Sequence, residues 1–304
     1  PNSPKPTILF LHGFPSSSFD WHNQITYFAG KGYGVIAPDL LGYGSTTAPT
    51  SLEPYTFKSM TEDIISILKH CQVDLSSGEM LHFVGHDFGA ILLSTLLAYH
   101  PNIALTASFV AVPYTPPGVK LDLDAMKQIT EKVLGFELFG YRRFFIRENS
   151  WQLIDEHKES FFTNLYGPEE LMMSDFLPPG KLEAWLRADK RVPYEQWVTP
   201  EYKQTRDRIF SKDDSYKGPT DWYKARFRDF LGIDQEVEEL GQPRIPCPAM
   251  FLQSAGSKML MAEVKTRTGK FADEYEYHEA PSGEGHFVQL EAPDEVNDIL
   301  EKWF

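Results

Sequence analysis

The sequence predicts an α/β fold, a mostly parallel sheet flanked by helices, with a helical domain inserted into it. Three observations carry this prediction. Short apolar runs alternate with helical patterns through the first third of the chain, joined by a few residues each. The runs are continuous rather than alternating, as in strands covered on both faces. The alternation stops near Tyr114 and resumes at Ala249, and the stretch between shows helical periodicity broken by Pro and Gly, with no clear strand.

The elements follow in order. Thr7–Leu11 reads as a buried strand ending in the turn His12-Gly13-Phe14-Pro15. Ser17 or Ser18 caps a helix that Gly30 and Gly32 stop. Gly34–Ala37 is the next strand, closed by Pro38-Asp39, and Gly42-Tyr43-Gly44-Ser45 is a loop. Thr56 caps a helix whose apolar positions Phe57, Met60, Ile64, Ile67 and Leu68 recur at helical spacing. Leu81–Val84 is a third strand, and it enters Gly85-His86-Asp87-Phe88-Gly89. An apolar helix from Ala90 to Tyr99 follows, ended by Pro101. Ala107–Val112 is a fourth strand. Strands at Ala249–Gln253 and Tyr275–Tyr277 and a last helix over Asp294–Trp303 complete the pattern. The predicted domains are therefore a sheet core over 1–113 and 241–304 and a helical cap, or lid, over 114–240, rich in aromatics such as Phe145, Phe161, Trp185 and Trp222.

The chain has 304 residues and a formal charge of −14. Without a Lys/Arg cluster, that balance makes the chain a poor candidate for binding nucleic acid or an anionic membrane surface, and neither nucleic acid nor a membrane span is expected. No apolar run approaches the roughly 20 residues of a membrane-spanning helix. Cys71 and Cys247 are the only cysteines, too few for a disulfide framework, and both border apolar runs, so buried free thiols are expected. Sparse cysteine and the absence of a signal peptide predict a cytoplasmic protein. The chain opens at Pro1-Asn2-Ser3-Pro4, without an initiating Met. Gly30-Lys31-Gly32-Tyr33-Gly34 follows a helix and precedes a strand, the wrong order for a dinucleotide loop. His82 and His86 lack a carboxylate or thiol partner at metal-ligand spacing, so no metal is expected.

The strongest local signal is Gly85-His86-Asp87-Phe88-Gly89, between a buried strand and an apolar helix. That context makes it a nucleophile elbow. The glycines allow a sharp turn and a close approach of the helix, and the central side chain is thrust out at a helix N-terminus, where negative charge is favoured. The central residue is Asp87 rather than Ser, so the nucleophile is already ionised at neutral pH. The bland alternative is a turn-forming Asp that caps the helix.

With these motifs in view, the chain resembles the α/β-hydrolase superfamily, and within it the epoxide hydrolases, over nearly its whole length. His12-Gly13-Phe14-Pro15 is similar to the HGxP signature, Gly85–Gly89 to the Asp-type elbow, and Asp39-Leu40-Leu41-Gly42-Tyr43-Gly44-Ser45 to the loop after the next strand. Gly285-His286-Phe287 resembles the loop carrying the catalytic histidine. Gly140–Phe145 and Asp221-Trp222-Tyr223 resemble the cap segments that supply two ring-opening tyrosines. The resemblance implies an α/β-hydrolase fold with a cap domain. It also implies a cofactor-independent reaction of a small apolar epoxide with water, at an apolar pocket where cap and sheet meet. In that reaction Asp87 forms an ester, Tyr141 and Tyr223 donate to the departing oxygen, and His286 activates water to hydrolyse the ester. The backbone N–H groups of Phe14 and Phe88 hold the oxyanion, with Phe14-Pro15 expected to be cis. On spacing alone, Tyr141 and Tyr223 also fit as core aromatics, and His286 as a solvated loop residue.

The chain departs from the family pattern in two places. The acid that orients the histidine is expected after the Ala249–Gln253 strand, in Ser254-Ala255-Gly256-Ser257-Lys258-Met259, where its position holds Ser257; Glu284 and Glu263 are the nearest carboxylates in sequence, and the acid is left unassigned. The two strands that the family places before Thr7–Leu11 are also missing, which exposes that sheet edge unless residues upstream of Pro1 supply them. Two other functions remain open. One is a dehalogenase using the same Asp nucleophile, disfavoured because Phe88 and Phe14 stand where halide-binding N–H side chains would help. The other is a non-catalytic ligand-binding protein that kept the fold.

Overall fold

The computed structural model describes residues 5–78, 80–257 and 262–304. Among them, six strands form one sheet: β1 (Thr7–Leu11), β2 (Gly34–Ile36), β3 (Leu81–His86), β4 (Ala104–Val110), β5 (Ala249–Ser254) and β6 (Tyr275–Ala280). The order is β2-β1-β3-β4-β5-β6, and every neighbouring pair is parallel. β3 and β5 are buried along their whole length, which is why they read as unbroken apolar runs.

Successive residues of each strand feed opposite faces of the sheet. Ile8, Phe10, Val84, Val110, Met250 and Leu252 form one buried cluster with Trp21, with Phe28 of α1 (His22–Gly30) and with Val296 and Leu300 of the last helix, Pro293–Trp303. The alternate residues Leu9, Phe83, Phe109 and Phe251 are equally buried. α2 (Phe57–His70) presents Phe57, Met60, Ile64 and Leu68 as its buried stripe. α3 (Phe88–Tyr99) is buried from Phe88 to Leu97, as an all-round apolar helix must be. Ser17 caps the short turn before α1 by accepting the Phe19 N–H at 3.2 Å.

Contacts divide the chain into two units. The first comprises Pro1–Leu40, Phe57–Val119 and Gly232–Phe304, and the second Leu41–Thr56 and Lys120–Leu231. Compared with the expected boundaries, residues 114–119 and 232–240 fall in the first unit. Their hydrogen bonds explain this: Tyr114 N–H donates to Thr268 Oγ1, Thr115 N–H to Ser94 Oγ, and Gly118 N–H to Glu236 Oε2. Residues 41–56 fall in the second unit because the Trp222 indole N–H donates to the Leu41 carbonyl at 2.8 Å and Gly42 packs against the backbone of Gly218. The second unit is helical, and includes α4 (Leu123–Leu134) and α5 (Gly140–Phe145). Phe145, Phe161, Phe176, Tyr216 and Tyr223 fill its core through ring contacts.

The expected burial of both thiols is corrected. Cys71 is exposed and Cys247 half-buried. Cys71 lies just past the end of α2, where the chain turns through Gln72 at φ 63°, so its apolar neighbours belong to a helix face it does not share. Burial pushes the Cys247 thiol up to about 12, so it is inert as a nucleophile. No helix among the described residues is long and apolar enough to cross a membrane.

Candidate active site

The strand order places a crevice. β1 continues to β2 on one side, while β3 continues to β4 on the other, so order reverses between β1 and β3. At such a reversal the loops leaving the carboxyl ends diverge and open a crevice beyond the sheet. β1 ends at Leu11, in register with Gly85 of β3, so the loops His12–Pro15 and His86–Phe88 emerge side by side.

Asp87 sits at the turn between β3 and α3 with φ 52° and ψ −118°, a strained combination for a residue with a side chain. The neighbouring glycines permit it. A Cβ on Gly89 would lie 2.6 Å from the His12 carbonyl oxygen, and one on Gly13 would lie 2.6 Å from Asp87 Oδ1. The missing side chains let three backbone segments close around one carboxylate. Phe14 N–H donates to Asp87 Oδ1 at 2.9 Å, and the Phe14–Pro15 bond is cis. Phe88, the first residue of α3, is buried and stacks on Phe57 with ring centroids 6.3 Å apart.

His286 Nε2 lies 3.5 Å from Asp87 Oδ2. The Asp87 side chain keeps 19% of its exposure and that of His286 13%, so both remain reachable. Burial alone would raise the Asp87 carboxyl. The hydrogen bond and charge of His286 and the Phe14 N–H outweigh that, and hold it down at about 2. The group is therefore a carboxylate at neutral pH.

The loop carrying His286 is held by a carboxylate that sequence reasoning missed. Glu291 Oε2 accepts the N–H of Gly285 at 2.7 Å and of Glu284 at 3.0 Å, and Oε1 accepts the N–H of Phe287 at 3.0 Å. From the other side, His86 Nε2–H donates to the His286 carbonyl at 2.9 Å. The backbone is thus pinned before, at and after His286. Ser257 is half-buried, with its N–H turned back to the Ser254 carbonyl, and Glu263 and Glu284 are exposed. Lys258 and Met259 lie outside the described residues.

Two further histidines support the loops as neutral rings. His12 Nδ1–H donates to the Gly13 carbonyl, and its Nε2 accepts the Leu40 N–H, both at 3.0 Å. Burial pushes His12 down to about 4 and, helped by the charge of His286, His86 down to about 3, from 6.5. The unfolded chain therefore binds protons before the folded one as pH falls, and stability is lost from about pH 6.5 downward. Between pH 7 and 5 each ring should cost about 2 kcal/mol of stability. Urea midpoints at the two pH values check this, and equal midpoints would contradict it.

Tyr141 and Tyr223 belong to the second unit, where they meet edge to face with centroids 6.2 Å apart. Tyr141 sits on α5 and its N–H donates to the Leu177 carbonyl at 2.9 Å. Tyr223 is the last residue of the helix Lys217–Tyr223, directly before a π-helical stretch, Lys224–Arg228. Such stretches are frequent at functional sites. The structure thus gathers Asp87, His286, Phe14 and Phe88 in one unit and the two tyrosines in the other.

The chain is similar to several known proteins. Epoxide hydrolase A of Mycobacterium tuberculosis is 26% identical over 311 residues, which cover 97% of this chain and 89% of that protein. Bifunctional epoxide hydrolase 2 of Rattus norvegicus is 24% identical over 299 residues, 98% of this chain, and the chain spans about half (51%) of that relative's length. The crystal structure of epoxide hydrolase A from Mycobacterium thermoresistibile matches in shape with a TM-score of 0.81 at 24% identity, covering 100% of this chain and 92% of that one. The family model of the alpha/beta hydrolase fold matches residues 6–293. With that match spanning both the elbow and the histidine loop, the chain belongs to the α/β-hydrolase fold family.

Proposed function

We propose that the protein is an epoxide hydrolase that opens its substrate through an ester on Asp87. The observation that carries this reading is an aspartate, not a serine, at the strained strand–helix turn, with one oxygen bound by the Phe14 N–H and the other 3.5 Å from His286. The names of the relatives described above support the same substrate class.

The two carboxylate oxygens are not equivalent. Oδ1, held by an N–H, suits the ester carbonyl, and Oδ2 suits attack on a ring carbon. As the C–O bond of the epoxide breaks, Tyr141 or Tyr223 gives its proton to the departing oxygen, leaving a hydroxy ester and a phenolate. His286 then takes a proton from water, and the hydroxide adds to the ester carbon. The oxyanion forms on Oδ1 against the Phe14 and Phe88 N–H groups. Collapse expels the diol alkoxide, which takes the proton from His286. The Asp87 carboxylic acid returns its proton through water to the phenolate. Atoms and protons balance with epoxide and water alone.

A panel of aryl and alkyl epoxides, assayed for vicinal diol by mass spectrometry, tests the reading. Diol from at least one member is expected. No diol from any member, or halide release from haloalkanes without diol formation, would overturn it.

A further inference from the structure

Several arginines of the second unit hold carboxylates. Arg143 pairs with Glu137 and Asp124, Arg147 with Glu183, and Arg228 with Asp229 and Glu148. Among the described residues, no carboxylate lies within 4.0 Å of Arg142. Its Nε–H donates instead to the hydroxyl oxygen of Tyr141 at 3.2 Å. The rest of the group is wedged among apolar partners. Its guanidinium carbon is 4.2 Å from the ring centroid of Phe139 and 4.4 Å from that of Phe227, and Nη1 approaches Met126 Sδ at 3.8 Å. Two aromatic faces hold a cation without neutralising it.

We propose that Arg142 is a positioning residue for Tyr141 as ring-opening acid, an inference that rests on the epoxide hydrolase reading. Because the Tyr141 oxygen accepts from Arg142, its own hydrogen must point elsewhere. Among the described residues no acceptor takes that hydrogen, so it stays available for the epoxide oxygen. When the O–H bond breaks and the proton moves to that oxygen, the phenolate left behind keeps a hydrogen bond from a full positive charge. A neutral contact becomes a charge-assisted one only as the proton leaves, so the gain falls on the transition state rather than on substrate binding. The adjacent Arg143, spent on Glu137 and Asp124, has no such freedom.

The test is a double-mutant cycle read by single-turnover ester formation, with quenched protein weighed by mass spectrometry. Arg142→Gln is expected to slow ester formation about tenfold in the wild-type background and less than about twofold in Tyr141→Phe, where no phenolate forms. Substrate affinity should change little. Arg142→Lys, which keeps the charge, should recover part of the rate, and it carries the comparison if the Gln variant folds poorly. Equal slowing in both backgrounds would assign Arg142 to packing and overturn the proposal, as would no slowing in either. If the wild-type protein forms no ester with any epoxide, the reading under it fails first. If ester forms and Tyr141→Phe slows it while Arg142→Gln does not, only this inference fails.

Discussion

Asp87→Asn is expected to lower diol formation by roughly 10⁴-fold or more, the scale seen when a covalent nucleophile is removed. Asparagine is the informative replacement because it matches the shape of Asp at a turn whose backbone is already strained. Its amide oxygen can still accept the Phe14 N–H, so shape and backbone survive while the attacking charge is lost. Circular dichroism and the unfolding midpoint should stay close to wild type. A second consequence follows from the carboxyl being held at about 2: any acid limb of the rate profile above about pH 4 belongs to another group. Retention of more than a few per cent of activity in the Asn variant would show that attack does not come from this side chain.

His286→Gln separates the two half-reactions. His286 Nε2 lies beside Oδ2, not between Oδ1 and its N–H donor, so its loss leaves the Phe14 contact in place while letting burial raise the Asp87 carboxyl from its depressed value. Ester formation in a single turnover should slow by no more than about tenfold, while steady-state turnover should fall by roughly 10²- to 10⁴-fold, the usual worth of a general base. The ester should then accumulate, and the peptide containing Asp87 should gain the mass of one epoxide. If the variant turns over slowly with no such adduct, His286 serves the first step instead. Glu291 bears on the same step, because it fixes the backbone on both sides of His286 through three N–H bonds.

Much of this was legible in the sequence because it depends on local chain constraints. Gly85 and Gly89 around Asp87, between an apolar run and an apolar helix, specify a turn that few other arrangements satisfy, and Phe14 follows the glycine on which that closure depends. What was not legible depends on contacts between distant segments. Glu291 has no motif around it in the sequence, and only the return of the loop 284–287 onto it reveals its work. Residues 41–56 join the helical unit through contacts such as the indole bond from Trp222 to Leu41, the Tyr43–Trp222 ring contact and the Gly42–Gly218 approach, none of which has a sequence signature. Arg142 has no sequence signature for the same reason: an arginine beside a tyrosine is ordinary until its bond to that tyrosine is seen.

The central claim is that a covalent bond to Asp87 precedes attack by water. One turnover in oxygen-18 water, with enzyme in excess, measures it directly. The account predicts an unlabelled diol, both of its oxygens coming from the epoxide and from Asp87, and a peptide containing Asp87 that is 2 Da heavier by about one label per turnover. Label in the first diol with an unlabelled Asp87 peptide would mean that water attacks the ring itself, and would contradict the account.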